Sequence, residues 1–268
     1  MNARPHSQPR ASFEVCGQSD NHEPMRMLMS CLSLLLVAAA PPTGFHLKHW
    51  GKIYSYEYGW PREAVAIPAL HRLLTREMSR DRRQIVEWAT SAFKDAKSDG
   101  SHFPDVGYES DWTWKTVGST GRLLSLEGDS YQFTGGAHGN PAAMSLLWDR
   151  SKGQAIRVEQ LFGKPRDYAR LRPAYCEALR KDRLEKRGGE PNLHTIPEFD
   201  ACPKFSDLVV GIVDSNHDGR FDVLRFTANP YLAGPYSEGT YVEDLPATRD
   251  VIGSLKPEYR SAFRPQRQ

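Results

Sequence analysis

The chain has 268 residues, of which 39% are hydrophobic, enough apolar material for one large domain or two small ones. Thirty-five Lys and Arg residues against 33 Asp and Glu residues leave a formal net charge of +2. A charge so close to neutral provides no general attraction to nucleic acid or to anionic membrane surfaces. Composition therefore predicts a globular protein without a nucleic-acid partner.

The first distinctive segment is the apolar run 28–40, which follows Arg26 and ends in three alanines before Pro41. A basic start, a short apolar centre and small residues at the end are typical of a cleavable secretory signal. The run has 13 residues, whereas a membrane span needs roughly 20, so a membrane anchor is the weaker alternative. We predict that residues 1–40 are an N-terminal extension and signal peptide, and that the mature chain is periplasmic or secreted, with no stable membrane span.

Strand and helix patterns alternate in blocks along the next hundred residues. Aromatic and β-branched residues in segment 45–58 predict at least one strand. Apolar residues then recur at helical spacing over 64–97, and Pro68 with the charged run 80–83 predicts two consecutive helices. Segment 112–148 contains alternating strand patterns separated by glycines, which predict hairpins of an antiparallel sheet.

The C-terminal part continues with one helix, three strands and two short helices. Helical spacing covers about 168–187 and stops at Gly188 and Gly189. Strands are predicted over 208–213, 221–228 and 240–245, and short helices over 250–255 and 258–263. Because strands and helices follow each other without βαβ alternation, we predict an α+β fold in which an antiparallel sheet is packed by several helices.

Two cysteines, Cys176 and Cys202, remain after the predicted signal. In an oxidising compartment such a pair predicts a disulfide, with two buried free thiols as the alternative. Neither cysteine belongs to a CxxC motif, which argues against a metal site. We therefore predict a Cys176–Cys202 disulfide.

The chain contains no G-x-S-x-G elbow, Walker loop, dinucleotide fingerprint or H-E-x-x-H motif. Hydrolase, kinase and dehydrogenase interpretations therefore lose their usual support. An enzyme whose catalytic residues come from distant positions stays open as an alternative.

The string 131–140, YQFTGGAHGN, is the most distinctive in the chain. Its glycines allow the backbone to turn with positive φ or to approach another chain closely. One interpretation places His138 and Asn140 at a binding surface. The alternative is a strand end where the glycines permit a bulge and His138 is a structural side chain.

A second string, 229–241, combines aromatic residues with Gly and Pro. Tyr231, Tyr236 and Tyr241 would form a contact surface at low entropic cost, with Glu238 beside them. The alternative is that these rings pack the loop onto the core. An active site would require His138 and Glu238 to meet in one concave, water-accessible pocket.

The segment 214–222, DSNHDGRFD, resembles the front of a calcium-binding loop. Asp214, Asn216, Asp218 and Asp222 supply oxygens at alternate positions, and glycine is sixth, as a sharp turn around Ca²⁺ requires. The twelfth position is Arg225 instead of a bidentate Glu. A Ca²⁺ site is one hypothesis, and an Asx-type turn between two strands is the alternative.

The two aromatic and glycine-rich strings together resemble domain-of-unknown-function 3298, and the preceding helical part resembles its companion domain 4163. The resemblance covers about residues 45–263, with a 4163-like α+β part over 41–110 and a 3298-like α+β part over 111–268. Such domains occur outside the membrane in some peptidoglycan deacetylases and in lysozyme-sensing anti-sigma factors. We find no deacetylase metal motif here, and the family implies no catalytic residues for this chain.

The resemblance implies the fold and a cell-envelope setting. The missing catalytic motifs and the tyrosine-rich loop favour an exported, non-catalytic domain that binds an extracytoplasmic protein, such as a lysozyme-like one, or peptidoglycan glycan. The alternative is a wall-active hydrolase or a deacetylase-associated enzyme with an unrecognised site.

Overall fold

A computed structural model describes residues 43–190 and 196–266 and shows two β-sheets with six α-helices in these ranges. The strands are β1 Phe45–Trp50, β2 Tyr54–Trp60, β3 Tyr108–Ser119, β4 Leu123–Phe133, β5 Asn140–Asp149, β6 Gln154–Ile156, β7 Val209–Val213, β8 Val223–Ala228 and β9 Tyr241–Pro246. The helices are α1 Arg62–Val65, α2 Pro68–Asp99, α3 Pro165–Ala169, α4 Arg172–Lys186, α5 Arg249–Ser254 and α6 Pro257–Arg260.

The first sheet has the order β1-β2-β3-β4-β5-β6, and the second has the order β7-β8-β9. Neighbouring strands are antiparallel except β2 and β3, which are parallel. Parallel neighbours need a crossover connection, and α1 with α2 provides it. The α+β class is therefore confirmed, but the structure has two sheets and one βαβ crossover where we expected a purely antiparallel sheet.

Helix α2 runs without interruption for 32 residues. Pro68 occupies its first turn, where a missing N–H costs nothing, and Gly100 ends it with a φ of 73°. The predicted break at Pro68 is found between α1 and α2. The charged run 80–83 does not break the helix: Asp81 accepts a hydrogen bond from Ser110 of β3, and Ile85 and Ala89 continue the buried stripe.

Two apolar clusters form the core. In one, α2 covers a face of the first sheet and buries aromatic rings from β2 and β3, namely Tyr56, Tyr58, Trp60 and Trp114. In the other, α4 and the C-terminal helices surround the second sheet, with Tyr175, Phe221, Phe226 and Tyr241 fully buried. Strand β3 spans the predicted boundary at 110/111, so the two predicted parts share the first sheet.

The predicted disulfide is confirmed. Cys176 on α4 and Cys202 are bonded with their Cα atoms 5.6 Å apart, within the usual range for disulfides. The bond joins α4 to the segment that precedes β7. A disulfide is typical of proteins outside the cytoplasm, so this bond is consistent with an extracytoplasmic location.

No helix in the described ranges is long and apolar enough to cross a membrane. The predicted signal peptide, residues 1–40, lies outside the described residues.

Candidate functional site

The loop 229–240, which joins β8 to β9, is attached to the first sheet by one side chain. Asn229 accepts a hydrogen bond from the Ala143 backbone N–H at 2.8 Å and donates one to the Ala143 carbonyl at 3.1 Å. The amide thereby pairs with the backbone of β5 as a neighbouring strand would. It places the tyrosine-containing loop beside the β4–β5 hairpin that carries His138.

Two buried arginines, one in the last turn of α4 and one directly after that helix, hold the same loop from the other side. Arg183 donates to the Ala233 carbonyl at 2.9 Å, and Arg187 donates to both carboxylate oxygens of Glu238 at 2.9 and 3.0 Å. Arg187 also donates to Asp200 at 2.6 Å. Burial alone would lower the pKa of Arg187, but these carboxylates raise it. Charge-assisted, bidentate hydrogen bonds of this kind restrict the loop to one geometry.

Sequence reasoning missed Asn229, Arg183 and Arg187. A signal for the arginines was present, because Tyr175, Leu179, Arg183 and Arg187 recur every four residues and share one face of α4. Two arginines on an otherwise apolar face indicate buried anchors and not a solvated surface.

Three rings form what we call the aromatic cluster: His138 from the hairpin, and Tyr231 and Tyr236 from the loop. The His138 and Tyr236 rings are stacked with centroids 3.8 Å apart and an interplanar angle of 19°. The Tyr231 ring lies 5.9 Å from that of Tyr236, and its hydroxyl is 3.5 Å from His138 Nε2. The structure therefore brings together residues that are 93 positions apart in sequence.

The aromatic cluster lies at the surface. Tyr231 is 52% exposed and has a φ of 72°, a conformation that is rare for bulky residues and often marks functional positions. His138 is exposed, and Tyr236 is half-buried. Asn140 is also exposed, at the start of β5.

Glycines make the close ring contacts possible. Tyr236 donates its hydroxyl hydrogen to the Gly139 carbonyl at 3.0 Å. A Cβ on Gly139 would lie only 2.3 Å from Cζ of Tyr131, whose ring covers this glycine. Gly135 and Gly136 turn the hairpin with φ values of 94° and 90°. The predicted role of the glycines, positive φ and close approach, is confirmed at these positions.

The prediction that Tyr241 contributes to the contact surface is wrong. This residue is 1% exposed, because it begins β9 on the side that faces α4 and the core. Burial raises the pKa of its hydroxyl, with Glu238 adding to the effect. Tyr241 therefore packs the loop onto the core, as the alternative interpretation had it.

Glu238 is occupied by structural contacts. Its carboxylate accepts hydrogen bonds from Arg187 and from the Tyr241 hydroxyl, and its side chain is largely buried. His138 instead bonds to the Gly139 carbonyl through Nδ1 at 3.0 Å and stacks on Tyr236. The two residues thus belong to separate networks, so the geometry provides no acid–base pair from the two strings.

The loop 214–222 shows the hydrogen bonds of Asx turns. Asp214 accepts from the backbone N–H groups of Asp218 at 3.1 Å and Gly219 at 2.9 Å. The buried Asp222 accepts from the N–H and the hydroxyl of Ser215 at 2.7 and 2.8 Å. Asn216 and Asp218 accept from backbone N–H groups two residues further on. Among the described residues, no group of three or more His, Cys, Asp or Glu side chains is arranged to hold a metal. This geometry matches the Asx alternative, and the Ca²⁺ site stays a hypothesis.

Comparisons with known proteins agree with the predicted resemblance. Residues 48–141 match a family model described as "Deacetylase PdaC". The solved structure of a DUF3298 family protein from Pseudomonas aeruginosa PAO1 aligns with a TM-score of 0.52 at 17% identity, covering 85% of this chain and 99% of that one.

A DUF3298 family member from Bacteroides fragilis NCTC 9343 aligns with a TM-score of 0.49 at 12% identity, covering 82% of this chain and 95% of that one. No curated protein matches the chain. The chain therefore resembles the PdaC deacetylase family over residues 48–141 and has the fold of a DUF3298 family protein over most of its length, which confirms the resemblance predicted from the two strings.

Proposed function

We propose that the mature chain is an exported cell-envelope domain that binds an extracytoplasmic protein or a wall glycan through the aromatic cluster and does not turn it over. The fold and the match to a family named for a deacetylase support the cell-envelope setting. The Cys176–Cys202 disulfide supports an extracytoplasmic location.

The observation that carries this proposal is the combination of exposure and rigidity in the aromatic cluster. Tyr231 presents its ring to solvent, while Tyr236 is fixed by stacking on His138 and by its hydrogen bond to Gly139. Rigid aromatic rings supply contact area with little loss of conformational entropy, and such rings dominate binding energy in many interfaces.

The structural role of Glu238 supports a binding function over a catalytic one. A general acid or base must reach the substrate with a free carboxyl group, whereas this carboxylate is held by Arg187 and Tyr241. The alternative, a wall-active hydrolase or deacetylase-associated enzyme, would need other residues.

The binding surface can be tested with variants of the mature chain against lysozyme and against isolated peptidoglycan. Tyr231→Ala and Tyr236→Ala are expected to weaken binding by about 1–3 kcal/mol each, as truncation of an aromatic anchor does. Tyr236→Phe keeps the ring and loses only the hydrogen bond to Gly139, so it should retain most of the affinity. Trp50→Ala is the matched control, because Trp50 is 70% exposed on β1.

Two results would contradict the proposal. Wild-type affinity in both tyrosine-to-alanine variants would exclude the aromatic cluster as the binding surface. Release of soluble fragments or of acetate from peptidoglycan by the purified wild type would show that the domain is an enzyme.

Export is tested separately by mass spectrometry of the protein from fractionated cells. We expect the periplasmic or secreted form to begin near Pro41. An intact N-terminus in the cytoplasmic fraction would contradict export.

A further inference from the structure

A cavity of about 540 Å³ lies between α2 and the first sheet. Ligand sites typically have volumes of about 300–1,000 Å³. One wall is the middle of α2, and the other consists of residues of β2, β3, β4 and β5. No residue of the cavity lining belongs to the aromatic cluster.

Tryptophan rings line both walls. Trp88 from α2 is 41% exposed, and Trp112 and Trp114 come from the same face of β3. The indole N–H of Trp112 donates to Ser110 Oγ at 3.0 Å, and that of Trp114 donates to the Tyr58 hydroxyl at 3.3 Å. With these N–H groups already bonded, the two β3 indoles are fixed in position.

Gly128 in the middle of β4 allows two residues of the lining, Trp114 and Met144, to pack closely. A Cβ at this position would lie 2.8 Å from a ring carbon of Trp114 and 2.9 Å from Cε of Met144. Because Gly128 has no side chain, both residues lie directly over the strand. Trp114 and Met144 therefore form an apolar floor of the cavity over β4.

Four polar side chains of the lining are free to contact a ligand. Glu77, Arg80 and Gln84 belong to α2, and Gln132 belongs to β4. None of these side chains makes a hydrogen bond or ion pair with another residue of the described ranges. By contrast, Asp81, in the same lining, accepts a hydrogen bond from Ser110 Oγ at 3.0 Å.

The polar groups of the lining indicate which class of ligand the cavity would bind. A carboxylate, a guanidinium and two amides offer both donors and acceptors, which suits hydroxyl groups that donate and accept at once. A cation would face Arg80, and an anion would face Glu77 and Asp81. Burial also raises the pKa of Glu77 and of Asp81, which means that this site disfavours negative charge. A bound anion would be disfavoured for the same reason. Flat indole rings stack against the apolar C–H faces of sugar rings.

We infer that this cavity is a binding site for a neutral saccharide, which stacks on the tryptophans and hydrogen-bonds to Glu77, Gln84 and Gln132. This goes beyond the proposed partner surface, with which it shares no residue. A chain with both sites would hold a glycan at the α2 cavity and a second partner at the aromatic cluster.

The test is a titration of the full mature chain with neutral oligosaccharides, namely the tetramers of N-acetylglucosamine, of β-1,4-linked glucose and of α-1,4-linked glucose. We expect at least one of them to change tryptophan fluorescence saturably and to give a matching calorimetric Kd. Trp88→Ala is expected to weaken that binding roughly tenfold or more. Gln132→Leu, which keeps the strand and removes the amide, should weaken it as well.

Controls separate this site from the proposed function. Trp50→Ala should bind the oligosaccharide as the wild type does, and circular dichroism should show that every variant is folded. Tyr236→Ala reports on the aromatic cluster: weaker oligosaccharide binding in this variant, with wild-type binding in Trp88→Ala, would place the saccharide at that cluster and overturn the inference. The inference is overturned if none of the three oligosaccharides binds below about 10 mM, or if folded Trp88→Ala and Gln132→Leu both bind with wild-type affinity. Tighter binding of choline than of any oligosaccharide would also overturn it.

Discussion

Replacing Glu243 by Gln is expected to stabilise the protein at neutral and alkaline pH and to have little effect in acid. Glu243 lies in β9, is 7% exposed, and one of its carboxylate oxygens has no hydrogen-bond partner among the described residues. Burial, together with repulsion from Asp182, raises its pKa to about 7, although Lys186 partly opposes this. The carboxyl group is therefore buried in a place that favours its neutral form.

The sign of the pH dependence follows from that shift. In the unfolded chain Glu243 ionises near its ordinary pKa of 4.5, whereas in the folded chain it stays protonated up to about pH 7. Below pH 4.5 the carboxyl group is protonated in both states and does not lower the free energy of unfolding. As the pH rises from 4.5 to 7, ionisation in the unfolded chain alone lowers that free energy. A pKa raised from 4.5 to about 7 corresponds to roughly 3 kcal/mol, which is an upper value because water penetration would reduce it.

The assay is urea unfolding of the wild type and Glu243→Gln at a series of pH values from 4 to 8.5. Other acids also contribute to the wild-type profile, so the quantity to follow is the difference between the two proteins. We expect that difference to grow by about 2–3 kcal/mol in favour of the Gln variant between pH 4 and pH 8. Glu87→Gln, on the exposed side of α2, is the matched control. A difference that is constant with pH would refute the reasoning.

Three further predictions concern the disulfide, the Asx loop and the cavity floor. Replacing Cys176 and Cys202 together by Ala should lower the free energy of unfolding by about 3.5 kcal/mol, because the disulfide joins residues 26 positions apart in the chain. A loss below about 1 kcal/mol in urea unfolding would contradict this prediction. If the loop that begins at Asp214 binds Ca²⁺, calorimetry should show Ca²⁺ uptake by the wild type at up to millimolar concentration, and Asp214→Asn should abolish this uptake. No uptake in the wild type would eliminate the metal hypothesis. Gly128→Ala should destabilise the fold by about 1–3 kcal/mol and shift the tryptophan fluorescence, because the new methyl group would overlap the ring of Trp114. An unchanged melting temperature would contradict this prediction, since it would show that the Trp114 ring moves freely.

The sequence was most informative where structure is local. Periodicity located antiparallel strands in the region 112–148 and α4 as a helix ended by Gly188, because backbone preferences and capping act over a few residues. Gly118 and Gly128, which we expected at turns, instead lie inside β3 and β4. The Cys176–Cys202 pair also followed from the sequence, since only two cysteines remained after the predicted signal.

The sequence was least informative about the relation between distant segments. The parallel pairing of β2 with β3 requires α1 and α2 to return the chain to the end of the sheet where β2 begins, and no local pattern records this. The sequence did not predict the burial of Tyr241. In β9, Tyr241, Glu243 and Leu245 all face inward, but the charged Glu243 interrupts the apolar alternation by which a buried face is recognised.

By itself, then, the sequence determined the α+β class, most of the elements, the disulfide and the two strings that meet in the aromatic cluster. Only the tertiary structure decided that Tyr231 and Tyr236 join His138 at the surface and that Arg187 engages Glu238. It also decided that Trp88 faces a cavity shared with β3. The physical reason is that propensity and turn chemistry act between neighbours in the chain, whereas burial, ion pairing and cavity shape depend on which segments meet after folding.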